Sequence, residues 1–283
     1  MHNHIAKSLN LPWEFHSTEC PAIEDVVNLA KNPTTAGLVV TMPYKSSVMA
    51  HLDQLDDLAT MVGACNNIYY PDGEARRLCG TNTDWTGIKG CLLEKGEESL
   101  QASSGSKGSA LIIGAGGASR AAVYALSQHL HCSRIYILNR DETEVRDLVR
   151  DAQRLPSVPE ITHITTIEQA RGLPVSPYYI VGTVPDLEPQ TKSERNVATI
   201  LEWFLAQPTK GALLDMCFKP RRTRMIKLAE RLGWPCVEGT HVIGYQIEEQ
   251  WRLWAGEEKA GLLDRQGAWR VLLKAAEEST AIN

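Results

Sequence analysis

The chain has no paired-cysteine motif. Its seven cysteines, at positions 20, 65, 79, 91, 132, 217 and 236, are odd in number and never spaced as Cys-x-x-Cys. That argues against a zinc site or a disulfide framework and fits a reducing compartment. A basic excess is also absent: 29 Lys and Arg stand against 34 Asp and Glu, a net charge of −5. A general nucleic-acid surface needs the opposite balance. No apolar run reaches the ~20 residues that cross a bilayer. The opening Met1-His2-Asn3-His4 has no basic stretch leading into an apolar one, so no signal peptide is visible. These absences predict a cytoplasmic protein, monomer or homodimer, with no metal, no nucleic-acid partner and no membrane partner.

What is present is an ordinary globular composition. The 283 residues are 43% hydrophobic and 22% charged, enough for one large or two ordinary domains. Residues 22–31 place Ile23, Val26, Val27 and Ala30 on one helical face. Residues 37–40 read as a short buried strand and 46–58 as a helix. Segments 64–70 and 77–81 bracket Pro71-Asp72-Gly73, which is hairpin chemistry. A helix begins at 86–93. Residues 101–108, rich in Ser and Gly, mark a domain junction.

Beyond that junction the pattern alternates. Strands at 110–113 and 134–138 and helices at 118–130 and 142–155 make a βαβ unit of a parallel sheet. Segments 178–181 and 212–215 read as later strands, and 225–232 as a helix. The tail is helical over 242–254 and 267–276, with Ile243, Ile247, Trp251 and Trp254 along one face. The expectation is an α/β fold of two domains. An N-terminal α/β substrate domain covers residues 1–100, and a Rossmann-type dinucleotide-binding domain covers 105–239. By analogy with two-domain dehydrogenases, residues 240–283 return to the first domain.

Four segments carry chemistry. Gly114-Ala115-Gly116-Gly117-Ala118 follows a strand and opens a helix. Its glycines permit a tight turn and close backbone approach, and the helix start offers free N–H groups to a pyrophosphate. Ser119 stands where the usual third glycine would be. The next strand ends in Asn139-Arg140-Asp141. An acidic residue there binds the ribose hydroxyl of NAD, whereas an arginine pairs with the 2′-phosphate of NADP. Arg140 tilts toward NADP and Asp141 tilts back. Finally, Lys45 follows Pro43 at a strand exit, and Asp84 precedes a helix. A lysine and a carboxylate brought together can move a proton, and burial would tune the amine.

Val40-Thr41-Met42-Pro43-Tyr44-Lys45, Gly63-Ala64-Cys65-Asn66-Asn67, Asn82-Thr83-Asp84-Trp85-Thr86-Gly87, the 114–120 loop and Gly244-Tyr245-Gln246 occur in that order. Together they resemble the shikimate/quinate dehydrogenase family over nearly the whole chain. The resemblance implies an NAD(P)-dependent oxidoreductase acting on a cyclic polyol carboxylate such as shikimate or quinate. Lys45 would be the acid/base and Asp84 its partner. Thr41, Asn66 and Gln246 would contact the substrate. Thr183 and Gly244 would join Gly114, Ala115, Gly116, Gly117, Ala118, Asn139 and Arg140 at the cofactor.

The chain departs from the family in three places. Family members begin with a strand and a loop carrying two serines that bind the substrate carboxylate, whereas this sequence opens as if inside the following helix. A truncated sequence, other anion donors (Arg76, Arg77, Arg221 or Arg222), or a relative with weakened activity and a binding or regulatory role would each account for that. Asn67 replaces a usual threonine, and Phe218 a frequent tyrosine.

Overall fold

The computed structural model describes residues 1–71, 76–99 and 108–280. The first part contains α1 (His2–Ser8), α2 (Ile23–Lys31), β1 (Leu38–Val39), a 3-10 turn (Ser47–His51), β2 (Gln54–Leu55), α3 (Asp57–Val62), β3 (Asn67–Tyr69), β4 (Cys79–Thr81) and α4 (Asp84–Ser99). Its strands form one sheet in the order β1-β3-β4-β2. The β1–β3 and β3–β4 pairs are antiparallel, and β4–β2 is parallel.

The second part contains β5 (Ser109–Ile113), α5 (Gly117–Tyr124) continued by a π-helical turn (Ala125–His129), β6 (Arg134–Leu138), α6 (Glu142–Ala152) and β7 (Glu160–Ile164). It goes on through α7 (Ile167–Arg171), β8 (Tyr179–Gly182), α8 (Lys192–Ala206), β9 (Ala212–Asp215), α9 (Arg224–Arg231) and β10 (Cys236–Glu238). Every pair in this six-stranded sheet is parallel, in the order β10-β9-β8-β5-β6-β7. That order is the doubly wound dinucleotide topology, with its switch point between β5 and β8. The chain closes with α10 (Gly239–Gly261) and α11 (Arg265–Glu278).

The central strands form because they are apolar on both faces. All residues of β5, β8 and β9 are buried. Such strands persist only with helices on both sides. Ile112 packs with Ala122, Leu126 and Val145 on one side, while Leu111 and Ile113 pack with Phe204 and Ile226 on the other.

Helix α10 lies against α4 at two glycines: a β-carbon on Gly87 would meet Val242 Cγ1 at 2.6 Å, and one on Gly90 the Tyr245 ring at 2.4 Å. Ile5 and Ala6 of α1, with Leu9 just after it, share a core with Ile247, Trp251 and Ala268. Among the described residues no helix is long and apolar enough to cross a membrane.

The expected helix at 46–58 is not continuous. Asp53 accepts the Leu78 N–H, and its own N–H donates to Leu78 C=O, which draws the chain into a short strand. Asp56 then caps α3 by accepting the Ala59 N–H at 2.7 Å. Two aspartates competing for backbone donors interrupt a helix that periodicity alone would continue. Helix α4 starts at Asp84, earlier than expected. The sequence pattern predicts no element at β7, β10, α7 or α8; β7 is a half-exposed edge strand with weak alternation. Asp72 and Gly73 of the expected turn, and residues 101–107 of the expected junction, lie outside the described residues.

Candidate active site

Lys45 and Asp84 meet. Lys45 Nζ donates to Asp84 Oδ2 at 2.5 Å, across 39 residues of sequence. The backbone on each side is fixed. Cys65 N–H donates to Lys45 C=O at 2.7 Å. Asn82 accepts the Asp84 N–H through Oδ1 and donates to Ala64 C=O through Nδ2. Lysine and aspartate are thereby tied to the same short loop, residues 63–66, which leads into β3.

Asp84 is 3% exposed. A buried carboxylate is costly unless its oxygens have donors. Here the second oxygen, Oδ1, accepts from Asn66 Nδ2 at 2.9 Å and from Gln246 Nε2 at 3.2 Å. Asn66 Nδ2 also reaches Thr83 Oγ1 and Gln246 Oε1. Asn66 Oδ1 accepts the Thr83 N–H at 2.6 Å. Gln250, one turn beyond Gln246, donates to Gln246 Oε1 and Thr83 Oγ1. The result is a buried polar cluster in which Asp84 holds the ammonium and three amides hold Asp84 or one another.

Thr83, Asn82 and Gln250 are members that sequence reasoning did not single out. Gln250 had a legible signal, since it stands four residues after Gln246 on a helical pattern and so shares its face. Cys65 lies beside the cluster, but burial pushes its thiol up to about 12, so it is not a nucleophile at neutral pH.

Thr41 is exposed. It lines a cavity of about 830 Å³ together with Tyr44, Phe218, Lys219, Trp251 and Trp254. Phe218 and Lys219 come from the loop after β9, so this cavity draws on both parts of the chain.

The glycine loop leaves β5 at the sheet's switch point. Gly114 has φ 115°, a left-handed value that only glycine takes readily. Gly116 precedes α5, and a β-carbon there would meet nothing within 4 Å. Among the described residues no side chain caps α5, whereas Asp141, Thr166, Thr191 and Thr223 cap the other helices of this sheet, α6 to α9. Open space and uncapped N–H groups at Gly117 and Ala118 suit a phosphate. Arg120 braces the loop from behind, donating to Ala115 C=O at 2.8 Å and to Asp151 at 2.9 Å. Thr183 does the same from β8: its hydroxyl donates to Ile113 C=O and bonds Ser119 Oγ.

At the end of β6, Gly114 N–H donates to Leu138 C=O, which sets Asn139 and Arg140 next to the loop. Asn139 Nδ2 donates to Glu144, and Arg140 Nη1 pairs with Glu194. Asp141 Oδ1 accepts the N–H groups of Thr143 and Glu144. Gly244 lies within α10, where a β-carbon would meet the Trp269 ring at 2.6 Å. Its visible job is close helix packing. At the tip of β9, burial pushes the Asp215 carboxyl up to about 6, against the pull of Thr223 Oγ1 and the Cys217 N–H.

The chain is similar to several known proteins. The family model of the shikimate dehydrogenase substrate binding domain matches residues 1–68. Quinate dehydrogenase of Emericella nidulans is 33% identical over 292 residues, covering 95% of this chain and 88% of that protein. The structure of dehydroquinate dehydratase and shikimate dehydrogenase from S. pombe is 30% identical with a TM-score of 0.70, covering 96% of this chain and 49% of that one. Shikimate 5-dehydrogenase from Thermus thermophilus, solved in complex with NADP(H) and shikimate, is 25% identical with a TM-score of 0.68, covering 97% of this chain and 92% of that one.

Proposed function

The chain belongs to the shikimate/quinate dehydrogenase family, and from that premise we propose that it oxidises and reduces a ring hydroxyl carbon of a cyclic polyol carboxylate, quinate or shikimate. The observation that carries this reading is the Lys45 Nζ to Asp84 Oδ2 contact at 2.5 Å, with Asp84 Oδ1 held by Asn66 and Gln246. A nicotinamide dinucleotide, when bound, supplies the hydride acceptor or donor.

The chain's own residues supply the proton and the positioning. In oxidation the unprotonated Lys45 amine takes the proton of the reacting hydroxyl and becomes the ammonium that Asp84 holds, and in reduction that ammonium gives the proton to the forming alkoxide oxygen. Asp84 keeps Nζ in one place and, with Asn66 and Gln246, presents polar atoms to neighbouring ring hydroxyls. Thr41 faces the adjoining cavity, whose 830 Å³ is in the range of small-molecule sites. The loop of Gly114, Ala115, Gly116, Gly117 and Ala118 takes the pyrophosphate, and Asn139 and Arg140 flank the adenosine ribose. Gly244 and Thr183 act as packing and bracing groups for that arrangement. In this reading residues 1–100 with 240–283 bind substrate, and residues 105–239 bind the dinucleotide.

The test is reduction of NAD and of NADP by the purified protein with quinate and with shikimate, beside Lys45→Ala. Turnover that falls by roughly 10³-fold or more in the variant supports the assignment, in line with loss of a positioned acid/base and its orientation. Turnover unchanged by the substitution rejects it. Calorimetric binding of dinucleotide and substrate with no turnover supports instead a binding or regulatory protein.

A further inference from the structure

We propose that Glu194 sets the cofactor preference of this chain by holding Arg140, so that a free adenosine ribose is accepted over one carrying a 2′-phosphate. The inference rests on the reading that the loop at 114–117 takes a dinucleotide. Arg140 is the second residue after β6 and carries the guanidinium nearest that strand end in sequence, and so is the natural partner of a 2′-phosphate. In the structure that guanidinium is already engaged, because its Nη1 donates to Glu194 Oε1.

Glu194 is not free to turn away. Its Oε2 accepts the N–H groups of Gln190 and Thr191 at 2.9 and 2.8 Å, and the Thr191 hydroxyl accepts the Glu194 N–H. This is the capping box that starts α8, so helix-start chemistry fixes the carboxylate in front of Arg140. The surroundings add charge of the same sign. Asp141, Glu142 and Glu144 follow directly on α6 and its cap. Asn139, the other side-chain donor at this strand end, spends its Nδ2 on Glu144 at 3.0 Å.

A 2′-phosphate brings nearly two negative charges into this group of carboxylates. To bind Arg140 it must displace Glu194 and leave that carboxylate facing it. A 2′-hydroxyl has no such conflict, since it donates a hydrogen bond to a carboxylate oxygen.

Calorimetric titration with adenosine 2′,5′-bisphosphate and with AMP tests this without turnover. Wild-type protein is expected to bind AMP at least as tightly as the bisphosphate. Glu194→Gln keeps the acceptor that the capping box needs and removes the charge. It is expected to shift the affinity ratio toward the bisphosphate by roughly fivefold, the scale of one half-exposed ion pair. In the double variant with Arg140→Gln that shift is expected to vanish. Arg140→Gln alone, which leaves the box intact, is expected to change the ratio less than about twofold. A wild-type preference for the bisphosphate, an unchanged ratio in Glu194→Gln, or a selective loss of bisphosphate binding in Arg140→Gln would each overturn the proposal. Failure of both probes to bind every form would refute the dinucleotide reading itself and this inference with it.

Discussion

A β-carbon on Gly117 would stand 3.2 Å from Cβ of Lys45 and 3.4 Å from Cβ of Ala64. The first residue of the helix that follows the glycine loop is therefore in van der Waals contact with the turn that carries the lysine. The glycine sets the spacing between the loop proposed to hold the dinucleotide and the lysine proposed to move the proton. Gly117→Ala is expected to push these segments apart by a few tenths of an ångström. Its φ is ordinary helical territory, so the fold should tolerate it. Steady-state kinetics should show kcat/KM reduced about tenfold, since misplacement on this scale degrades orientation, while the melting temperature stays nearly unchanged. Unaltered kinetics would show that the contact sets nothing.

Gly87 controls a second approach. Its missing β-carbon lets α10 come close enough for Gln246 to reach Asp84. Gly87→Ala would meet Val242 C=O at 2.7 Å as well as the Val242 side chain. Urea unfolding should show a loss of about 2 kcal/mol, as for overpacking elsewhere, and activity should fall with it. A variant as stable as wild type would mean that α10 adjusts without cost.

Asn67 is fully buried, and among the described residues neither its Oδ1 nor its Nδ2 has a partner. An amide desolvated without hydrogen bonds is costly. Asn67→Thr places a β-branched residue of slightly smaller size in strand β3, with one polar group to satisfy in place of two. Thermal and urea unfolding should show a gain of about 1 kcal/mol. A loss would indicate that Asn67 makes a bond through solvent.

Asp215 couples stability to pH. Burial raises its folded pKa to about 6 from an ordinary value of 3.8. A group raised on folding adds stability that is complete below the unfolded pKa and is lost as pH rises through the folded one. Wild-type stability relative to Asp215→Asn should therefore fall between about pH 4 and pH 7, by roughly 3 kcal/mol. Unfolding of both proteins across that range reads it directly. A constant difference would place the ionisation elsewhere.

Much of the fold was legible because local pattern and burial agree. Residues 110–113, 134–138 and 212–215 are short apolar runs between turn signals, and they are strands of the parallel sheet. The glycine loop follows its strand and opens its helix as read. The stretch 46–58 misled because its helical period is interrupted by Asp53 and Asp56, whose carboxylates take backbone donors from Leu78 and Ala59. The partner of Asp53 lies 25 residues away, beyond any periodic window. Helix α8 was missed although Thr191-x-x-Glu194 is a capping-box signature.

The sequence by itself determined the kinds of chemistry available: a lysine and an aspartate in intact motifs, a glycine loop between strand and helix, and apolar strands that demand cover on both faces. Those follow from local geometry, because turns, periods and caps are decided within a few residues. Only the tertiary structure decided which groups act together. Gln246 lies 162 residues from Asp84 and reaches it because two glycines on α4 admit α10. Glu194 lies 54 residues from Arg140 and occupies it because a helix happens to start there. Contacts of that kind depend on how elements pack, and side-chain identity alone does not specify the partner.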